Sequence, residues 1–332
     1  MDSPTRNFLG LVGSSAALAA YPVCGFIAYV LVPLVGLSPG ALAHLGPVCL
    51  LPAIALTILV ATSVGLAARM LGRQMSASRR LSRRVRALAL SPPPELSVAA
   101  KASGLEGRVT VVDSPEQFSF VYGILVPRVA IGRGFLECLT AEELRAALEH
   151  ESYHVRHLDP LRALLGNALT EAFFLLPALE VLRLRYEAGR ELAADRRAER
   201  VSGRRALLGA LAKALGEPGC EPAIIVSLAD PGLLDARISR LENGRAPALV
   251  TVDVQGLLTS ALGALSFLLL LIAAVVGLGG TSALASMAAD ELSASGTLLG
   301  ALCAAPVVAF VALAYWRLAR RASEPLPPGD RI

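Results

Sequence analysis

Charge is what this chain has least of: 17% of its 332 residues are Asp, Glu, Lys or Arg, against roughly a quarter in soluble domains. The shortage is local. No charged residue lies between Arg6 and Arg69, and only Asp290 and Glu291 lie between Asp253 and Arg317. A membrane span takes about 20 apolar residues, so each run has room for two spans and a turn. We expect spans near 9–35, 47–69, 256–279 and 297–316. The first run is too long for a signal-peptide core, has no positive n-region and shows no clear cleavage site, so it is expected to be retained. Pro22, Pro33 and Pro52 lie in or at the ends of the first pair, where membrane helices tolerate kinks.

Other absences narrow the function. The five cysteines form no CxxC pair, which argues against a disulfide scaffold and a thiolate zinc site. The spans hold no ionisable residues of the kind that line a transport pathway. No aromatic residue interleaves with the arginines at 73–86, so direct nucleic-acid binding is not expected. Those arginines are a topology signal that can also touch anionic headgroups of the lipid bilayer.

What charge there is has a direction. The turn after the first span and the 282–296 loop carry no Lys or Arg, whereas Arg69, Arg73, Arg79, Arg80, Arg83, Arg84 and Arg86 follow the second span and Arg317, Arg320 and Arg321 follow the last. The positive-inside rule then places both termini and the stretch from about 70 to 253 in the cytoplasm. The expected layout is a membrane hairpin (1–72), a basic juxtamembrane helix and linker (73–95), a cytoplasmic domain (96–253), a second hairpin (254–318) and a cytoplasmic tail (319–332).

Within the cytoplasmic stretch, "SPPPE" breaks the basic helix. Short runs rich in Val, Ile, Phe and Tyr at 108–113, 118–125 and 128–132 read as strands. The last two read as a hairpin in which Pro127 suggests an edge. Helices follow. Thr140 with Glu143 forms a capping box for a helix over 140–157. Asp159-Pro160 stops it and starts the next, with Asp159 as N-cap and Pro160 at N1. An apolar helix over 161–182 and a charged one carrying Glu191 and Asp195 come next.

Three of the four histidines fall in "EHESYHVRHLDP". His150 and His154 stand one helical turn apart on one face, where two imidazoles can reach one metal ion. Glu151 lies about 100° round from His150, where a base can take a proton from a water beside the ion. Zinc takes such nitrogens together with a carboxylate. Glu191 in "ELAAD" is the best third ligand, with Glu187 next. Asp195, one turn after Glu191, would accept a bond from a ligand imidazole and fix its tautomer. The same two acids could instead be a solvated pair beside Arg196 and Arg197. His157 could be drawn in as a ligand, but a cation suits a helix C-terminus.

The stretch "LTAEELRAALEHESYHVRHLDPLRALL", followed 37 residues after His154 by "ELAAD", resembles the membrane-embedded gluzincin metallopeptidases, as does "FSFVYGILVPRVAIGRGFLECLT" upstream. Two families compete. HtpX/Ste24-like peptidases (M48) have a membrane hairpin between the zinc helix and the third ligand, and BlaR1/MecR1-like peptidases (M56) do not. Glu191 must share a side of the membrane with the histidines, and 37 residues cannot hold two spans of about 20. Residues 161–182 therefore do not cross, and the chain resembles the M56 family. That resemblance implies a multi-pass α-helical membrane protein with four transmembrane helices and a cytoplasmic α+β gluzincin-type zinc peptidase domain. It implies zinc on His150, His154 and Glu191, Glu151 as general base, and Asp195 behind a ligand. The implied activity is a zinc metalloendopeptidase of the cell membrane acting on a protein substrate, such as a cytoplasmic transcriptional repressor. No penicillin-binding sensor domain is expected after the last span, and the polar Glu149 and Ser152-Tyr153 depart from the family pattern. A non-catalytic membrane signal transducer keeping the same fold is the alternative.

Overall fold

The computed structural model describes residues 47–214 and 253–279 and, outside them, residues 8–13, 15, 26, 27, 30, 237, 240 and 241. The expected span at 297–316 lies outside the described residues, as does about two thirds of the one at 9–35. The chain divides into two compact units.

One unit takes in Gly10–Gly65, Phe173–Ala178 and Asp253–Ile332. Helix α1 (Pro47–Ala87) begins here, and helix α8 (Val254–Gly279) is started by Asp253, whose Oδ1 accepts from Gly256 N at 2.7 Å. Phe26, Val30, Ala53, Leu56, Leu271 and Ala274 pack together. Elsewhere these helices turn Ile54, Ile58, Leu258, Leu262 and Leu269 outward. Two stretches, Leu51–Ala87 and Val254–Val275, are long and apolar enough to cross a membrane, and only 11% and 17% of their apolar windows are buried. The core helix of a soluble protein would be buried, so lipid is the fitting solvent for these faces. Residues 173–178 pack on α8: Ala178 N donates to Ser260 Oγ at 2.9 Å, and a side chain on Gly263 would collide with Leu175 O.

The other unit holds Met1–Leu9, Leu66–Ala172 and Leu179–Val252. The span near 47–69 and the basic helix from 73, expected as separate elements, are one helix: α1 runs unbroken for 41 residues, about 60 Å at 1.5 Å each. Strand β1 (Ala89–Leu90) follows before the prolines, and Pro94 opens helix α2 (Pro94–Ala102). Strands β2 (Val109–Val112), β3 (Ser119–Tyr122) and β4 (Arg128–Gly132) complete a sheet of order β1-β2-β4-β3. β4 is parallel to β2 and antiparallel to β3, its hairpin partner, and β1 is antiparallel to β2. Gly123 turns the hairpin at φ +86°, where a Cβ would meet Val126 O. Pro127 does not mark an edge as expected. It stands one residue before the paired stretch, so its missing N–H costs no ladder bond, and β3 is the edge instead.

Both faces of the sheet are covered, so β4 is buried from Val129 to Gly132. Val111, Val129 and Ile131 face a core made with Leu96, Leu105, Phe135, Leu144 and Leu148. Ala130, Val112, Phe118 and Tyr122 face Val85 near the end of α1. Helix α3 (Arg133–Cys138) leads into helix α4 (Ala141–Arg156), which carries the histidines. The Thr140–Glu143 capping box is complete, and Lys213 of helix α7 (Arg204–Ala214) adds a 2.6 Å bond to Glu143.

At the other end of α4 the sequence misleads. Leu158 takes a left-handed φ of 52°, and its carbonyl accepts from Leu161 N and Arg162 N. Leu158 thus stands at the N-cap of helix α5 (Asp159–Ala172), and the side chain of Asp159 is free for other work. The expected single helix over 161–182 is instead two. α5 ends at Ala172, and Pro177 opens helix α6 (Pro177–Ser202), because Pro177 fits the first turn and not an interior.

Candidate metal centre

Helices α4 and α6 bring His150, His154 and Glu191 together, with one ligand atom from each within 4.8 Å of the others. The two Nε2 atoms are 3.1 Å apart, and the Glu191 oxygens lie 3.5 Å from His150 Nε2 and 3.7 Å from His154 Nε2. Four residues on a helix make just over one turn, which sets the imidazole spacing.

Each imidazole has its own carboxylate behind it. Nδ1 of His154 donates to Asp159 Oδ2 at 2.6 Å, and Nδ1 of His150 lies 3.0 Å from Asp195 Oδ1. A carboxylate only accepts, so Nδ1 of His154 carries a hydrogen and its Nε2 is left to offer a lone pair; His150 Nδ1, beside Asp195 but off the line of a good hydrogen bond, is steered the same way by charge. Two lone pairs 3.1 Å apart repel unless a cation or a proton lies between them. The proton would fall to His150: burial pulls its pKa down, but its bonds to Asp195 and Glu191 prevail and raise it to about 10. This donor set of two nitrogens and one carboxylate, each imidazole locked in the right tautomer, fits zinc.

The acids of α6 are not a solvated pair. Asp195 is fully buried and held by Arg237 through two bonds, Nε to Oδ2 at 2.9 Å and Nη2 to Oδ1 at 2.8 Å. Arg237 Nη1 also lies 3.4 Å from Glu191 Oε2. Burial opposes ionisation of Asp195, yet the Arg237 charge and the His150 bond keep its pKa well below the ordinary range. Arg237 in turn feels burial first, then Asp195, Glu191 and Glu151, and its pKa is raised. Arg197 is engaged elsewhere, 2.8 Å from Glu149.

Glu151 is buried, and its Oε1 accepts from Ser119 Oγ on the edge strand β3 at 3.0 Å. Glu187 is not at the cluster but pairs with Arg183 at 2.6 Å. His157 is the C-cap of α4, stacked on Tyr153 with centroids 4.0 Å apart. Tyr186 points its hydroxyl at Asp159 Oδ1, 3.3 Å away, and its ring lies 5.2 Å from that of Phe8.

Two residues of the site escaped the sequence reading. Asp159 looked like a cap, although its position five residues after His154 was a usable signal. Arg237 lies in a proline-rich passage with no local pattern to single it out.

The sequence model of the BlaR1 peptidase M56 family matches residues 45–212, just over half of the chain. The chain belongs to the BlaR1 peptidase M56 family. Comparison with curated proteins and with solved structures returns no match. The matched stretch covers α1 through α7, with both histidines, Glu151, Glu191 and Asp195 inside it, and stops short of Arg237. Family membership and the two apolar helices make this a membrane-associated protein of a peptidase family.

Proposed function

We propose that the chain is a membrane-bound zinc metalloendopeptidase that cleaves a protein substrate at the cytoplasmic face. The reading includes four spans, with both termini and the peptidase domain inside, in line with the placement of Lys and Arg. Regulated proteolysis of a transcriptional repressor is the family-level expectation for its biology.

The observation that carries the reading is the convergence of His150, His154 and Glu191, each imidazole backed by its own buried carboxylate. These three residues would hold zinc. When bound, zinc supplies Lewis-acid polarisation of a water and of a peptide carbonyl. Glu151 accepts the proton from the attacking water and returns it to the leaving amine. Ser119 holds one oxygen of Glu151 and leaves the other for that exchange. An extended substrate would add as a strand to the β3 edge, which carries Ser119. Asp159 and Asp195 keep the two rings oriented, Arg237 keeps Asp195 ionised in a buried place, and the two imidazoles, with Arg237 behind them, do the same for Glu191.

The test uses the full chain purified in detergent. Wild type should hold one zinc per chain and cleave an unstructured protein in a chelator-sensitive way. Glu151→Gln should keep the zinc and lose cleavage, whereas His154→Ala and Glu191→Ala should lose the zinc. Chelator-insensitive cleavage would sink the assignment. One zinc with no turnover of any substrate would favour the signal transducer.

A further inference from the structure

Beyond the metal centre, α1 carries a second candidate site. From Pro47 to Ala68 the helix has no charged residue. These 22 residues span about 33 Å at 1.5 Å each, close to the roughly 30 Å of a bilayer's hydrocarbon core. Arg69 is therefore the first cation at the headgroup level. Arg69, Arg73 and Arg80 follow at steps of four and seven residues, which returns them to within about 40° of one face. They line a cavity of about 400 Å³ with Gln74 and Ala77, closed on one side by Glu171 of α5. None of the three arginines, nor Glu171, has an ion-pair partner among the described residues. Three cations against one acid give the lining a net charge of +2, and two guanidinium forks one turn apart suit the oxygens of a phosphate.

We propose that this cavity binds the phosphodiester headgroup of an anionic phospholipid in the leaflet that α1 enters. Arg69 and Arg73 grip the phosphate at the bilayer surface. Arg80 and Gln74 close over the headgroup from the aqueous side. Glu171, the one anion in the lining, takes a hydroxyl of the headgroup and repels a second phosphate, which selects a glycerol-type headgroup. The inference is independent of the peptidase assignment, because no residue of the metal centre lines the cavity.

The bland competitor is diffuse attraction of a basic helix to a negative surface, where each basic residue is worth about 1 kcal/mol, or a factor of about 5. A substitution that fills the cavity and keeps every charge separates the two. The full-length protein is placed in nanodiscs of phosphatidylcholine with graded phosphatidylglycerol, and retained lipid is counted by native mass spectrometry. Wild type should retain one phosphatidylglycerol at saturation. Ala77→Trp should lose that lipid although its charge is unchanged, and the triple variant of Arg69, Arg73 and Arg80 to Gln should bind about 100-fold more weakly. A triple variant of Arg79, Arg83 and Arg86 to Gln, outside the cavity, should keep it. Retention by Ala77→Trp equal to wild type, or equal losses in both triple variants, would overturn the pocket in favour of diffuse attraction. Displacement of the lipid by millimolar glycerol 3-phosphate in solution would overturn the lipid assignment and mark a site for a soluble phosphate. Circular dichroism of each variant reports whether a loss is only misfolding, and Ala77→Ser, which leaves the cavity open, should then retain the lipid.

Discussion

The two histidines of the site face each other across 3.1 Å, yet they are held in different ways. Behind His154 stands Asp159, a near neighbour in sequence, steadied by the neutral hydroxyl of Tyr186, with the charge of Arg190 bearing on it through space. Behind His150 stands Asp195 from another helix, fully buried and gripped at both oxygens by Arg237. Both arrangements achieve the same thing, an acceptor at Nδ1 that turns Nε2 toward the centre. They differ in where the carboxylate's charge is balanced. On the His154 side no cation among the described residues is paired with the carboxylate. On the His150 side Arg237 neutralises Asp195 and also touches Glu191, which has Arg190 3.6 Å away as well, so the loss of Arg237 leaves the fully buried Asp195 without its cation.

The largest expected effect follows from that asymmetry. Arg237→Met should cost about 3–5 kcal/mol, as breaking a buried pair does by stranding its partner. Chemical denaturation of the detergent-solubilised protein would read it, and a loss under 1 kcal/mol would mean that the two sides are equivalent after all. Next come the carboxylates themselves. Asp195→Asn and Asp159→Asn should each weaken zinc binding about 10–100-fold, the usual consequence of removing an outer partner from a ligand histidine. Only the Asp195 variant should also destabilise the metal-free protein markedly, because it takes from the buried Arg237 the carboxylate that holds it by two bonds and leaves only the longer contact to Glu191. Competition with a chromophoric chelator, run beside denaturation, separates the two effects. Smaller still is Tyr186→Phe, which removes one neutral hydrogen bond worth about 0.5–1.5 kcal/mol and should leave zinc affinity essentially unchanged.

How readable each side was in the sequence follows the same division. The histidines, Glu151 and the start of α4 were legible because their signals are local: a one-turn spacing and a capping box complete within four residues. The three longer strands were legible from their β-branched and aromatic runs, whereas β1, at two residues, was too short to leave a pattern. Asp159 was misread by one position. Asp-Pro is a good cap signal, but the left-handed Leu158 moves the cap back by one residue and frees the carboxylate to reach His154. The continuity of α1 was hidden because the change from apolar to basic composition imitates an element boundary, although arginine is a good helix former. Arg237 was illegible in principle: its partners are more than 40 residues away, and only tertiary structure brings them together.

The weakest variant tests whether the comparison concerns the histidines' partners at all. At the far end of α4, Glu143 closes the capping box and accepts from Lys213, which also donates to the carbonyl of Cys138. Lys213→Met should loosen that end by up to about 1 kcal/mol, since the pair is partly exposed. The Lys213 bond holds the Glu143 pKa below its usual 4.5. A carboxyl depressed in this way contributes its stability in full above the ordinary carboxylate range and loses it as pH falls through the lowered value. Wild type and Lys213→Met should therefore differ at neutral pH and converge in acid. Zinc affinity should be the same in both, because neither imidazole is touched. If Lys213→Met weakened zinc as much as Asp159→Asn does, the anchoring of α4, and not the carboxylate behind each ring, would be what sets the site.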